Sequence, residues 1–282
     1  MAENAYSHNI AYQGQPGAYS HQAARQYYAE SAHFIPYPTF SDMLQAVATQ
    51  TADYAVLPIE NALAGFVFPA YAALRLNPTL CIQAELSLRI EHCLLGTHDA
   101  TLEHLDTVMS HPQALAQCSQ FLQRNGLTSK DYSNTATAAA YIAQNQDSST
   151  GAIANAEAAG IYGLKILAQH IANQPHNQTR FLIISRLPSV IDILSTPCKT
   201  LLSFNTQNIN QALPKLGKAV EMHNVKLMHI QPIPLDNSLW QHEWVAELKG
   251  CQNQLNTLTN EIKRDIYSVQ SWGIYPAEQP NL

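Results

Sequence analysis

TVMSHPQALAQCSQFLQRNG (Thr107–Gly126) decides the fold class. Thr107–Met109 is a short apolar, partly β-branched run that reads as a strand. Ser110 stands where a helix N-cap is expected, and Pro112 falls in the first helical turn, where a missing N–H costs nothing. Asn125-Gly126 ends the helix. A strand that feeds directly into a helix is the unit of an α/β protein.

The unit recurs on both sides. Downstream, a helix is expected from Asn134-Thr135 through Ala138–Ala140. A strand follows at Gly151–Ala154, then a helix at Ala156–Tyr162, capped by Asn155 and stopped by Gly163. Arg180–Ser185 reads as a closing strand. Upstream, Ile10–Tyr12 is a strand, Gly14–Gly17 a turn, and a helix runs through Ala23 to about Ala29. A helix over Ser41–Thr49, with Ser41 as N-cap, precedes a strand at Tyr54–Leu57 that ends at Pro58. Leu86–Leu95 reads as one long or crossing strand. This alternation predicts a mostly parallel sheet system.

Composition shifts at Arg186–Lys199, where Pro188, Ser189, Ser195, Thr196 and Pro197 cluster as a linker would. Beyond it the pattern is strand 200–205, helix 210–223, strand 225–233, strand 242–248, helix 251–265 and a short strand near Ser268–Ile274. That βαββαβ order suits a ferredoxin-like sandwich. The expected organisation is therefore an α/β domain over 8–187, a linker at 188–198 and a second domain over 199–279.

The bulk numbers exclude several classes. A chain of 282 residues with 46% hydrophobic content can bury sizeable cores. Net charge is -6 and no basic run occurs, so nucleic acid is not an expected partner. The five cysteines are widely spaced with no CxxC pair, and the twelve histidines include no HExxH, so no metal site and no disulfide framework are expected. Met1–Asn9 is polar and resembles no signal peptide, and no apolar stretch approaches the roughly 20 residues that span a bilayer. A cytoplasmic protein without membrane contact is the expectation.

Strand ends meet helix starts at Gly17–Ser20, Ser110–Pro112, Asn134-Thr135 and Asn155. Such ends offer free backbone N–H groups and the positive end of a helix dipole and can bind anions, but ordinary capping, which occurs at every helix, is the simpler account of the pattern alone. Glu60-Asn61 follows a strand directly, where ligands of α/β sheets bind, and Asn61 could equally close a turn on its own backbone. Thr179, Arg180 and Phe181 offer a hydroxyl, a fixed cation and an apolar wall, or else a loop with a surface arginine.

Five stretches in order resemble prephenate dehydratases and the similar arogenate dehydratases. They are Ala11–Ser20 (AYQGQPGAYS), Pro58-Ile59-Glu60-Asn61 with Gly65, Ser110–Cys118 (SHPQALAQC), Tyr162-Gly163-Leu164 and Asn177–Phe181 (NQTRF). Residues 199–276 resemble the amino-acid-sensing ACT domain that follows in that family. The resemblance implies two α/β lobes arranged as in periplasmic binding proteins, with a cleft between them. It implies a decarboxylating dehydration of prephenate to phenylpyruvate, on the route to phenylalanine, without metal or organic cofactor. Thr179 is then the residue assisting the departing hydroxyl. Ser20, Glu60, Asn61, Ser110, Gln117, Thr135, Asn177, Arg180 and Phe181 are then expected around a small dicarboxylate substrate. Arg180 would pair with a substrate carboxylate or hold the lobes together. Members of this kind form homodimers or homotetramers.

Several positions depart from the family pattern. Ala62 stands where Ser or Thr is usual, Phe66, Phe68 and Ala72 where polar residues are common, Asn155 where Ser is common, and Asn173 and Gln174 where acidic residues are frequent. In the ACT-like part, Gln211-Ala212-Leu213 lacks the family's glycine, and Gln231-Pro232-Ile233-Pro234 replaces its second motif. An altered or weakened response to an amino-acid effector is expected, and the two prolines suggest an edge or irregular strand. Three other readings compete: a catalytically silent binding or regulatory protein, an arogenate-preferring enzyme, and a periplasmic solute-binding protein.

Overall fold

The structure, a computed structural model, describes residues 8–29, 32–188, 197–206, 208–235, 242–266 and 268–278. The first elements are β1 (His8–Gln13), α1 (Tyr19–Tyr28), β2 (Ala32–Tyr37), α2 (Phe40–Ala48), β3 (Tyr54–Asn61), β4 (Gly65–Phe66), α3 (Phe68–Arg75) and β5 (Cys81–Arg89). There follow β6 (Cys93–Gly96), β7 (Thr107–Ser110), α4 (Pro112–Gln117), α5 (Ser119–Arg124), β8 (Thr128–Asp131), α6 (Thr135–Asn145), β9 (Thr150–Ala154), α7 (Ala156–Tyr162), β10 (Lys165–Ala168) and β11 (Gln178–Ser185). The last are β12 (Cys198–Asn205), α8 (Ile209–Met222), β13 (Lys226–Pro234), β14 (His242–Gly250), α9 (Gln252–Asp265) and β15 (Val269–Pro276).

These elements form two compact units, one holding the chain up to Thr39, Glu60–Gly65 and Ser87–Arg180, the other Phe40–Ile59, Phe66–Leu86 and the chain from Phe181. In the first unit β1 and β2 pair in parallel. A second sheet has the order β10-β6-β9-β7-β8. Its strands alternate faces, as period-2 side chains must. Leu95, Met109, Ala152 and Ala154 face α6 and α7 through Ala138, Ala139, Ile142, Ala158 and Ala159. Leu94, Val108 and Ile153 face Leu115, Cys118 and Leu122 of the α4–α5 segment. Truncating a fully buried member such as Ile142 to alanine costs about 2–5 kcal/mol.

The helix α7 seats on the turn before α1. Gly17 has φ +84, and a Cβ there would meet the Ala158 Cβ at 3.1 Å, so both the conformation and the contact require glycine. The Tyr162 hydroxyl donates to the Pro16 carbonyl at 2.7 Å. Asn155 caps α7 by accepting from Ala158 N at 2.9 Å, and its Nδ2 donates to the Gly17 carbonyl at 3.0 Å.

The greater part of β3, β11 and β5 belongs to the second unit, where they lie side by side in that order, with β4 on β3. The C-terminal strands are ordered β13-β14-β12-β15, the ferredoxin-like arrangement expected from βαββαβ. Leu202, Phe204, Leu216, Leu255, Leu258 and Ile262 fill the space between this sheet and its two helices. Pro232 and Pro234 fall on β13, an edge strand, where missing N–H donors are tolerated. Lys199 of β12 pairs with Glu85 of β5 at 2.8 Å.

Several local expectations need correction. The sheet carrying β6–β10 is mixed, because β6 runs antiparallel to β9 and β10 while β7 is parallel to β8 and β9. Ser41 lies in the first turn of α2 rather than at its cap, since the helix begins at Phe40. Pro58 does not end β3, which continues to Asn61; proline's fixed φ suits an extended backbone. Ser110 does not cap α4. Its hydroxyl is fully buried and donates to the Ile153 carbonyl at 2.7 Å, while the His111 ring takes the capping position. The expected single helix to Asn125 is split into α4 and α5 at Cys118. Leu86–Leu95 is two strands, parted at 90–92, where Ile90 N donates to Asn177 O at 2.9 Å and His92 O accepts from Ile171 N at 3.2 Å. Of the linker at 188–198, only Pro188, Pro197 and Cys198 fall within the described residues.

Candidate functional site

The end of β3 and the start of β11 build the centre of the site. Asn61 closes a turn on its own backbone, its Oδ1 accepting from Leu63 N at 3.1 Å and Ala64 N at 2.9 Å. That leaves Nδ2 facing β11. It donates to Asn177 Oδ1 at 2.8 Å and to Thr179 Oγ1 at 2.9 Å, with the Gln178 carbonyl at 3.2 Å. Asn177 Nδ2 in turn donates to Gln117 Oε1 at 3.2 Å, at the end of α4. The same Oε1 lies 2.8 Å from His92 Nε2, and His92 Nδ1 lies 2.7 Å from the Tyr19 hydroxyl at the start of α1. Five segments of the first unit thus meet in one chain of hydrogen bonds.

This chain has a direction. Thr179 Oγ1 accepts from Asn61, so its own O–H hydrogen is free to donate, and among the described residues it has no acceptor. The Gln117 Nε2 group likewise has no protein partner among them, because its Oε1 takes both bonds. Two donors are therefore left for a ligand. Asn61, Asn177 and Thr179 are all buried, which strengthens each bond relative to water.

Glu60 and Arg180, the sequence neighbours of Asn61 and Thr179, pair with each other, Arg180 Nη2 to Glu60 Oε2 at 3.1 Å. Ser20 is buried in the first turn of α1, a helix whose N-cap, Ala18, supplies no side-chain bond. By contrast, the ends of α4, α6 and α7 are occupied by their caps, His111, Asn134 and Asn155. Thr135 is the first residue of α6, behind the Asn134 capping box. Phe181 is buried in β11.

Cys118, next to Gln117, has its thiol pushed up to about 12 by burial and by Cys93 beside it. It stays protonated near neutrality and is no thiolate nucleophile. Among the described residues no cluster is suited to a metal ion, and no helix is long and apolar enough to cross a membrane.

In the second unit, a cavity of about 780 Å³ is lined by Asn205, Thr206, Asn208, Gln211, Ala212, Lys215, Asp265 and Ile266. Gln211 and Ala212 were expected at an effector site. Leu213 is partly exposed beside them on α8, and Gln231 is buried on β13 with no partner for its amide nitrogen among the described residues.

A family model for prephenate dehydratase matches residues 10–189. The chain belongs to the prephenate dehydratase family. Arogenate dehydratase 2 of Petunia hybrida is 40% identical over 235 residues, which is 83% of this chain and 59% of the petunia enzyme. The chain thus spans less than two thirds of that relative. A solved structure of GqqA, described as a novel type of quorum quenching acylase, is 32% identical with a TM-score of 0.84, covering 96% of this chain and 98% of the other. The prephenate dehydratase of Arthrobacter aurescens, solved in complex with L-Phe, superposes with a TM-score of 0.87 at 23% identity, over 97% of this chain and 92% of that one. The α/β fold is that of solved prephenate dehydratases. His92 and Tyr19 were not foreseen as site residues; the polar pair Glu91-His92 interrupting an apolar run was the available signal.

Proposed function

We propose that this protein catalyses the decarboxylating dehydration of prephenate to phenylpyruvate. The observation that carries the reading is the direction of the Asn61–Thr179 bond, which leaves the Thr179 hydrogen free to donate. In the reaction the C–CO₂ bond breaks, its electron pair moves into the ring, and the ring hydroxyl leaves as water after gaining one proton. Aromatisation drives the process, and the electrons balance within the substrate, so no oxidant is involved. Thr179 is the catalytic residue. A threonine hydroxyl is a weak acid, so it acts by hydrogen bonding the departing oxygen while the proton arrives from solvent. Gln117 Nε2, Asn61, Asn177 and the uncapped start of α1 at Ser20 bind substrate oxygens. Arg180, held by Glu60, supplies a fixed positive charge for a carboxylate. Ser110, Thr135 and Phe181 shape the surroundings.

The organisation proposed is a catalytic domain over 8–187 and an ACT domain over 199–279, in a cytoplasmic homodimer or homotetramer. The ferredoxin-like strand order supports the ACT reading, and the cavity at Gln211 supports an amino-acid effector site there. Gln211 in place of glycine weakens the response to phenylalanine. Calorimetric titration tests this, and micromolar saturable binding would refute it.

Arogenate is the second substrate reading, favoured by the 40% identity to the petunia enzyme. The decisive experiment follows phenylpyruvate from prephenate and phenylalanine from arogenate, with Thr179→Ala as control and an N-acyl-homoserine lactone as counter-assay. Turnover of prephenate that collapses in the variant supports the proposal. Amide hydrolysis without dehydration refutes it in favour of the acylase activity named for GqqA, and ligand binding without any turnover refutes it in favour of a binding protein.

A further inference from the structure

His92 lies at the far end of the hydrogen-bond chain from Thr179. It occupies the break between β5 and β6 and is 2% exposed. Its two ring nitrogens face different partners, Gln117 Oε1 at 2.8 Å and the Tyr19 hydroxyl at 2.7 Å. The Tyr19 ring stands edge-on to the imidazole, with centroids 5.6 Å apart.

The backbone dictates which nitrogen carries the proton. Leu63 N and Ala64 N can only donate, so Asn61 presents Oδ1 to them and Nδ2 to β11. Asn177 must then accept with Oδ1 and donate with Nδ2. Gln117 must offer Oε1, so His92 must donate from Nε2. A neutral ring with its proton on Nε2 accepts at Nδ1, and Tyr19 must donate there. Every amide orientation in the chain is therefore set from the Asn61 end by main-chain N–H groups, and the Tyr19 hydroxyl completes the chain at the other.

We infer that His92 is a positioning residue for the dehydration, held beside Tyr19 as the neutral Nε2–H tautomer so that Gln117 keeps the orientation that leaves its Nε2 free to donate to the substrate. This rests on the dehydratase reading. Without the Nε2–H donor, Gln117 can turn its amide over. Asn177 then meets a donor with a donor, and its own reversal would set its Nδ2 against that of Asn61. Asn61 stays fixed by Leu63 N and Ala64 N and still donates to Thr179, so what is lost is the Gln117 Nε2 donor left for a ligand.

A second state competes. An imidazolium donates from both nitrogens, and the Tyr19 hydrogen then turns to the Glu91 carbonyl, 3.0 Å away. Burial opposes this state by lowering the affinity of His92 for a proton, partly offset by the Gln117 bond. The titratable groups around the pair are Tyr19 on α1, Cys93 on β6, Cys118 between α4 and α5, and Glu91, whose carboxylate is engaged by Arg89 at 3.1 Å and His170 at 3.8 Å. Cys93 and Cys118 are held protonated by burial, so among the described residues no free anion faces the ring to favour the charged form.

Nitrogen-15 imidazole NMR on the intact chain at pH 7.5 reads the tautomer without any substrate. A neutral ring protonated on Nε2 is expected for His92. A proton on Nδ1, or an imidazolium, overturns the inference. Kinetics supply the second arm. His92→Gln keeps an N–H donor in place and should hold kcat within about threefold, while His92→Leu should lose about tenfold in kcat with KM little changed. Tyr19→Phe should release the tautomer preference in the NMR spectrum. Equal losses in the Gln and Leu variants, or full kcat in His92→Leu, would show a merely structural histidine. A chain inactive on prephenate would refute the dehydratase reading instead, with the tautomer still deciding the polarity of the chain.

Discussion

Asn61 Nδ2 stands 2.9 Å from Thr179 Oγ1, across 118 residues of sequence, and donates to it. The direction of that one bond separates a hydroxyl available to a ligand from one already spent. Reversing it should matter more than removing it.

Asn61→Asp is the variant that reverses it. The new carboxylate keeps one oxygen on Leu63 N and Ala64 N, but its second oxygen can only accept, and it captures the Thr179 hydrogen. A charged acceptor within a buried pair is worth about 1.5–3 kcal/mol, so kcat should fall about 10- to 100-fold. Steady-state kinetics with prephenate check this, with circular dichroism confirming the fold. Wild-type kcat in this variant would remove Thr179 as donor.

Acidification should weaken the fold in the range where histidine titrates. His21 and His92 both bind a proton less readily than in the unfolded chain, through burial, with Arg25 adding to the effect at His21. Below the ordinary histidine value of about 6.5 the unfolded chain takes up protons that the folded chain refuses, so stability present above that value is lost as pH falls. Urea midpoints at pH 8, 7, 6 and 5.5 should decline through the window, and His92→Gln should flatten the slope. A midpoint that rises on acidification contradicts the assignment.

Thiol reactivity should separate the cysteines. Cys251 is exposed, whereas Cys93 and Cys118 are buried and held as thiols. A disulfide reagent at pH 8 should label Cys251 quickly and reach Cys118 and Cys93 only after unfolding. Rapid labelling of Cys118 in the native protein would indicate that the segment joining α4 and α5 opens, and with it the mooring of Gln117.

Asn155 serves two structures at once, capping α7 and donating to the Gly17 carbonyl. Asn155→Ala removes both and should cost about 1–3 kcal/mol by urea unfolding. Asn155→Ser restores only the cap and should recover about 1 kcal/mol of it. Equal stability of the two variants would mean that the Nδ2 bonds, to the Gly17 carbonyl and to Gln22 Oε1 at 3.3 Å, carry the whole effect.

The strand and helix positions were legible because they follow from local pattern: the cap at Asn155, the stop at Gly163 and the edge prolines of β13 need only near neighbours. Asn61, Gln117, Asn177 and Thr179 were legible as motif members, but their connection was not. Their bonds join residues 60 to 118 apart in sequence, which no periodicity encodes. His92 was hidden for the same reason. It sits in a strand break where Ile90 N bonds Asn177 O, a contact between distant segments. Ser110 was misread because a buried hydroxyl took a carbonyl of the next strand over the helix end expected from its neighbours.

The turn at Asn61 has a bearing on descent. What orients the whole polar chain is the main-chain N–H of Leu63 and Ala64, and a main-chain N–H is common to every residue except proline. Side chains at 63 and 64 can therefore drift across generations while the sense of proton donation at Thr179 is inherited unchanged. Only a proline there would interrupt it. The apolar stretch Ala62-Leu63-Ala64 can then vary in its side chains without disturbing the direction of the Asn61–Thr179 bond.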